Sequence, residues 1–284
     1  GTTSVMMNLH ETENFSSLDY SNMPFLLAPN TWEKIYRQKQ SKLRERSHKD
    51  GVMIGLNTVE ALEEYFFKAI TNDVYIKDEC LLEHSISDNV YQGYIQYQTL
   101  IRDSNDQMYI SKNNNFSLRY SSIREHNPNF LMVVMYRDPL THAASLLEQH
   151  IKYSKMQEES PFVLEYMNWL AHHEFGQGQK QFLFQENQSL IQGDKLRLDY
   201  WLNIWINYYQ YVLKVKDDNL LLINYKDYCE SPLDTLYKIL SKCNFQYKGD
   251  TKKSYINDRV INDTYSEEIL KEATDTYNML INFR

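Results

Sequence analysis

Cysteine is scarce in this chain of 284 residues: the three present, Cys80, Cys229 and Cys243, are widely spaced and odd in number. That pattern excludes a disulfide framework and suits a reducing compartment. The eight histidines form no HExxH pair, and the adjacent His172 and His173 would point to different faces of a helix, so no metal site is expected. Glycine is also sparse, at 8 residues, which implies few tight turns and much helix. Long apolar runs are missing. Stretches such as Phe130–Met135 fall far short of the roughly 18 residues that a membrane span needs. The first fifteen residues carry Asn, His and Glu where a signal peptide would be apolar. No excess of positive charge exists either: 30 Lys and Arg stand against 38 Asp and Glu, a net charge of −8, which argues against a nucleic-acid binder. No linker or internal repeat divides the chain, so residues 1–284 read as one domain of a soluble, cytoplasmic protein.

What is present is a globular composition, 42% hydrophobic and 24% charged. Helical patterning is expected over residues 2–13, over 31–47 with Thr31 as cap, and over 59–70. The middle of the chain changes character. Residues 107–111 read as a short strand, and 130–136 as a stronger one without alternation, which suits a strand buried on both faces of a parallel sheet. A helix over 116–126 between them predicts a β-α-β unit. A long helix should follow Pro139, since proline is well accommodated in a first helical turn. Further helices are expected over 198–215, from Ser231 (as N-cap) to 243, and over 265–281, with a strand over 219–224. Alternating strands and helices predict an α/β fold with a mostly parallel sheet.

The most informative junction is Tyr136-Arg137-Asp138-Pro139. An arginine leaving the carboxyl end of a buried parallel strand faces the crevice in which such folds bind ligands. It directly precedes a helix N-terminus, whose free N–H groups favour phosphate. Ser145, eight residues on, could converge on the same anion; the competing reading pairs Arg137 with a nearby acid. At the start of the chain, Gly1-Thr2-Thr3-Ser4 leads into an apolar helix, the layout of a phosphate loop or of a simple helix cap. Lys112-Asn113-Asn114-Asn115 follows the first strand, so Lys112 would end on the same sheet edge as Arg137; the alternative is a turn with a solvated lysine.

Together these segments resemble the sulfotransferases that use 3′-phosphoadenosine 5′-phosphosulfate (PAPS). Gly1-Thr2-Thr3 is similar to the second half of that family's 5′-phosphosulfate loop. Arg137 through Ser145 is similar to its 3′-phosphate motif. Tyr225-Lys226-Asp227 resembles its Tyr-Glu-Asp segment, with Lys226 replacing the glutamate, and Lys112–Asn115 resembles a segment of bacterial members. The resemblance implies a P-loop-type sheet and a PAPS site formed by Gly1, Thr2, Thr3, Arg137 and Ser145. It also implies that a basic residue and its strand belong upstream of Gly1, so that the chain is truncated within the phosphate loop. No Gly-x-x-Gly-x-x-Lys segment is visible near the end, where Lys252, Lys253 or Arg259 are substitutes.

Sulfuryl transfer needs an anchored donor, positive charge near the transferring oxygens, and a base for the acceptor hydroxyl. Lys112 suits the second task. Asp19, about 16 residues beyond Thr3, is the candidate base, with His10, Glu11 and His150 as alternatives. Trp169 and His173, in the aromatic and polar segment 169–176, are candidate contacts to a hydroxylated acceptor, a carbohydrate or small metabolite, because indole stacks on sugars. Seven Lys or Arg residues between Lys34 and Lys49 form either a solvated helix face or a steering patch for an anionic donor. Two other readings stand beside the transferase. One is a nucleotide-dependent kinase, against which the absence of a Gly-Lys-Ser/Thr loop argues. The other is a non-catalytic nucleotide-binding module.

Overall fold

A computed structural model describes residues 1–35, 44–45, 53–55, 58–185, 187–247 and 260–283. In its first third lie α1 (Thr2–His10), β1 (Phe15–Ser16), α2 (Pro29–Ile35), β2 (Arg44–Glu45), β3 (Met53–Ile54), α3 (Glu64–Ile70) and β4 (Cys80–Leu82). The middle holds α4 (Asp88–Ile101), β5 (Met108–Tyr109), α5 (Tyr120–His126), β6 (Met132–Tyr136), α6 (Pro139–Glu159) and α7 (Pro161–Trp169). The last part holds β7 (Gln181–Leu183), α8 (Leu198–Val215), β8 (Leu220–Asn224), α9 (Tyr225–Glu230), α10 (Pro232–Lys242) and α11 (Glu267–Asn282). The fold is α/β, as the alternation of strands and helices predicts.

Among the described residues the strands form pairs rather than one continuous sheet. β1 and β5, β4 and β7, and β6 and β8 pair parallel, whereas β2 and β3 pair antiparallel. The expected β-α-β unit is therefore displaced: β5 pairs with β1, and the parallel partner of β6 is β8, reached through α6, α7 and α8. Residues 116–119 form a 3-10 turn, so the helix expected over 116–126 starts as an α-helix only at Tyr120.

The β6–β8 pair shows why a strand without alternation belongs inside. Met132, Val134, Tyr136, Leu220 and Leu222 face the main core, where α6, α8 and α11 supply Ala143, Leu147, Trp201, Trp205, Val212 and Leu280. The intervening residues, Val133, Met135, Leu221 and Ile223, face a second core with Val5 and Leu9 of α1 and Leu236 and Leu240 of α10. Burial on both faces removes any need for polar alternation. Helix α8 fits its place because Leu198, Trp201, Leu202, Trp205, Tyr209 and Val212 recur at helical spacing and are all buried.

Several boundaries differ from the sequence reading. The second helix begins at Pro29, which suits a first turn, so Thr31 lies inside it rather than capping it. Arg44–Glu45 is a strand, and the remaining residues of the basic stretch beyond Ile35 lie outside the described residues. The expected helix over 59–70 starts only at Glu64, because Val59 forms a bridge with Asp19 and draws the preceding residues into extended backbone. Ser231 is the N-cap residue of α10, as expected, and its hydroxyl donates to the Asp234 carboxylate at 2.6 Å without bonding a backbone amide.

Candidate functional site

The carboxyl ends of β6 and β8 lie side by side, with Tyr136 opposite Asn224. The chain turns sharply after each. After β6, Asp138 caps α6 by accepting a hydrogen bond from the Thr141 amide at 2.9 Å. That turn leaves Arg137 at the strand end, with its guanidinium 5.1 Å from the centroid of the Tyr225 ring. After β8, Asn224 caps α9 by accepting from the Lys226 amide at 2.9 Å, which presents Tyr225 to Arg137.

Gly1 closes the same corner. A Cβ there would lie 2.8 Å from the Tyr225 ring and 3.1 Å from the terminal methyl of Met135, so only glycine permits this approach. Gly1, Arg137 and Tyr225 thus converge at the carboxyl ends of two parallel strands, beside the N-termini of α1 and α6. His142, in the first turn of α6, reports the same proximity. Burial first, and then the charge of Arg137, push its pKa down to about 4. Among the described residues no carboxylate forms an ion pair with Arg137.

The other predicted anion contacts lie close by in the chain. Thr2 is exposed and Thr3 buried in the first turn of α1, whose leading amides have no intrahelical acceptor. Ser145 is half-buried on α6, three residues beyond His142 and therefore on the same side of the helix.

Asp19 and Lys112 form a second group. Both lie three residues past the paired ends of β1 and β5, where Ser16 is opposite Tyr109. Lys112 pairs with Glu60 at 3.1 Å and is largely buried, so it is not a solvated turn lysine. Burial alone would raise the Glu60 pKa, but Lys112, the Ala61 amide and His172 outweigh it and hold the carboxyl below its ordinary range. Glu60 also accepts from the Tyr20 hydroxyl at 3.2 Å. Asp19 caps the turn Tyr20–Asn22, accepting through Oδ1 from the Ser21 amide at 2.8 Å and from its hydroxyl at 2.5 Å. Burial raises its pKa, and the Ser21 bonds oppose that shift without cancelling it.

The asparagines after Lys112 fasten this strand end to its surroundings. Asn113 donates to Glu63 at 2.9 Å and to Glu64 at 2.8 Å. Asn114 donates to Glu174 at 2.5 Å, and Asn115 to the Ala171 carbonyl at 2.9 Å. Glu174 has its pKa driven down to about 2: His172 and Asn114 stabilise the carboxylate by more than burial penalises it. His172, 3.6 Å away, is raised, because Glu174 more than offsets the effect of burial.

Trp169 and His173 have different partners. The Trp169 ring packs edge-on against Tyr65 at 5.2 Å. His173 is buried, with Nδ1 3.0 Å from the Gly178 carbonyl and a pKa lowered to about 4, first by burial. His150 is also buried, and its Nδ1 accepts from the Gly176 amide at 3.1 Å, a bond that ties α6 to the turn after His173. Lys252, Lys253 and Arg259 lie outside the described residues.

The chain matches no protein-family model and no curated protein. Among solved structures it is similar to a sulfotransferase domain from the curacin biosynthetic pathway, at 12% identity and a TM-score of 0.32, over 56% of this chain and 45% of that domain. It is also similar to a sulfotransferase from Alicyclobacillus acidocaldarius, at 10% identity and a TM-score of 0.41, over 99% of this chain and 88% of that one. The chain thus spans less than half the length of the curacin domain.

Sequence reasoning missed Glu60, His142 and the stacking of Tyr225 on Arg137. Glu60 carried no signal, because its lysine partner is 52 residues away. Tyr225 stood in a recognisable segment, but only the pairing of β6 with β8 brings it to Arg137. Among the described residues no group of His, Cys, Asp or Glu side chains could hold a metal ion. No described helix is long and apolar enough to cross a membrane.

Proposed function

We propose that this chain is a sulfotransferase that binds PAPS at the Gly1–Arg137–Tyr225 corner and acts on a hydroxyl acceptor, with residues 1–284 working as one unit. The observation that carries the reading is Arg137: a guanidinium at a strand end, braced on an aromatic face, beside two helix N-termini and without a carboxylate partner among the described residues. A cation so placed suits a phosphate dianion, which accepts charge-assisted hydrogen bonds from guanidinium and helix amides alike.

In this reading Arg137 and Ser145 hold the 3′-phosphate, while the first-turn amides of α1, with Thr2 and Thr3, hold the 5′-phosphate. The approach permitted by Gly1 lets backbone amides come close to the anion. When bound, PAPS supplies a sulfuryl group whose sulfur forms a bond to the acceptor oxygen as its bond to the 5′-phosphate oxygen breaks. Asp19 takes the hydroxyl proton through the oxygen not engaged by Ser21, and its raised pKa makes it the stronger base. Lys112, oriented by its ion pair with Glu60, supplies positive charge near the leaving oxygens. Trp169 and His173 belong to the acceptor side, which we assign to a carbohydrate or similar small hydroxylated compound.

The direct test incubates the full chain with sulfur-labelled PAPS and a panel of mono- and oligosaccharides in the presence of a metal chelator. Label in the sugar fraction is expected without added magnesium. Label transfer from the γ-phosphate of ATP, dependent on magnesium, would replace this reading with the kinase. Tight binding of adenosine 3′,5′-bisphosphate without any transfer would reduce it to the binding module.

A further inference from the structure

At the start of α3 two adjacent carboxylates, Glu63 and Glu64, are drawn into the interior, 1% and 4% exposed. Among the described residues the cation bonded to this pair is Arg119, itself buried, in the turn before α5. Both of its terminal nitrogens go to Glu64, at 2.7 and 2.6 Å, and its Nε goes to His84 at 3.3 Å. Lys112 is spent on Glu60, at 3.1 Å. Two buried carboxyls thus share one guanidinium, and its bonds are all on one of them.

The partners of Glu63 are neutral. Its Oε1 accepts from the Tyr94 hydroxyl of α4 at 2.5 Å, and its Oε2 from Asn113 Nδ2 at 2.9 Å. The hydroxyls of Tyr109 and Ser111 also face the carboxyl, and Tyr97 of α4 lies near it. Burial first, and then Glu63, push the phenols of Tyr94, Tyr97 and Tyr109 above their ordinary value, so none of the three carries charge. Arg119 is close enough to feel Glu63, but its ion pair with Glu64 already balances it. A buried carboxylate without a counter-charge takes up a proton instead. Burial raises Glu63 accordingly, and the surrounding hydrogen bonds oppose that shift without cancelling it. Burial would raise Glu64 as well, but Arg119 outweighs it and holds that carboxyl below its ordinary range. Asn113 joins the two, since its amide also donates to Glu64 at 2.8 Å.

We propose that Glu63 is a neutral carboxylic acid in the folded protein and that its proton latches the segment 109–115 onto α3. The proton lies between Glu63 Oε1 and the Tyr94 hydroxyl, while Oε2 receives Asn113. Opening the contact admits water, and the exposed acid ionises wherever the pH exceeds its ordinary value of 4.5. Each further pH unit then favours the open form about tenfold, until the closed form ionises too. Lys112, inside the latched segment, is thereby held more firmly at low pH than at high pH. The sign is opposite to that of His142 and His173, whose folded pKa values are lowered. The inference uses neither the donor site nor the proposed base, so it does not depend on the sulfotransferase reading.

The test is peptide-resolved hydrogen exchange of the full chain and of Glu63→Gln, which keeps the shape of the neutral acid and has no proton to lose. The two proteins are compared at the same pH, so the pH dependence of chemical exchange and the histidine contributions cancel. Between about pH 5 and pH 8, the ratio of wild-type to variant exchange in peptides covering 109–115 and α3 should grow about tenfold per pH unit. A ratio that stays constant with pH would overturn the proposal. Magnetic resonance of the wild-type chain, labelled with carbon-13 at the glutamate carboxyls, gives a second reading that needs no variant. One carboxyl should keep the chemical shift of the acid well above its ordinary titration range. Titration of every glutamate at or below the ordinary value of 4.5 would equally overturn the proposal.

Discussion

Ser145 and Asp19 illustrate how much a single side chain is asked to supply. In the proposed site Ser145 gives one neutral hydrogen bond to a phosphate already held by Arg137. Ser145→Ala should therefore weaken adenosine 3′,5′-bisphosphate by about 1 kcal/mol, roughly fivefold, as read by calorimetry. The task proposed for Asp19 is different, so Asp19→Asn should leave that affinity unchanged and lower turnover by about 10²-fold or more. Normal turnover in this variant would remove Asp19 as the base. The position of Arg137 at a strand end was legible from sequence because the cues are local: a buried strand, an arginine, a proline that starts a helix. Glu60 was not, since its role comes from a lysine brought beside it by the pairing of β1 with β5 and the bridge from Asp19 to Val59.

At the scale of elements, α3 and the segment leading into α5 are joined by a buried ion pair. Arg119 donates to both oxygens of Glu64, at 2.7 and 2.6 Å, and its guanidinium lies 4.1 Å from the centroid of the Phe67 ring. Tyr75 donates to the same carboxylate. Removing one partner leaves the other charged and buried, so Glu64→Ala should destabilise the fold by about 3–5 kcal/mol in chemical denaturation. A loss below about 1 kcal/mol would contradict this account of how the Asn113 segment is anchored.

The histidines connect elements in a pH-dependent way. His142 of α6 and His173 before β7 both have folded pKa values of about 4, below their ordinary value of 6.5. The unfolded chain takes up these protons near pH 6.5, and the folded chain only near pH 4. The stability associated with the neutral rings is therefore complete above pH 6.5 and is lost as pH falls toward 4. His172 has the opposite sign: its pKa is raised, so its contribution is present below pH 6.5 and is lost as pH rises through its folded value. Thermal unfolding midpoints should fall on acidification from pH 6.5 to 4, and His173→Asn should flatten that slope. An unchanged slope would mean that the ring is not held neutral. Sequence patterning located α8 and α11 well because their buried residues recur at helical spacing. It missed β4, β7 and α4. The two strands are only three residues long, too short for periodicity to register, and α4 buries little besides Tyr94 and Tyr97.

For the whole molecule, the α/β class was legible because β6 and β8 are apolar on both faces, a pattern that demands helices on each side of the pair. The pairing of β6 with β8 rather than β5 was not, since the choice of parallel partner depends on how α6, α7 and α8 cross over. That pairing matters most for function. It sets Tyr225 against Arg137, with Gly1 against the same ring; in the proposed function an anionic donor would approach this corner of a chain of net charge −8. In that proposal Arg137, a local cation without a carboxylate partner among the described residues, is the feature that would make this possible. The measurement that tests it most directly compares adenosine 3′,5′-bisphosphate with adenosine 5′-monophosphate by calorimetry on the full chain and on Arg137→Ala. The account predicts a preference for the bisphosphate of at least about tenfold, lost in the variant together with the roughly 1.5–3 kcal/mol that a charge-assisted contact contributes. Equal affinity for the two nucleotides, or a preference that survives the loss of Arg137, would contradict it.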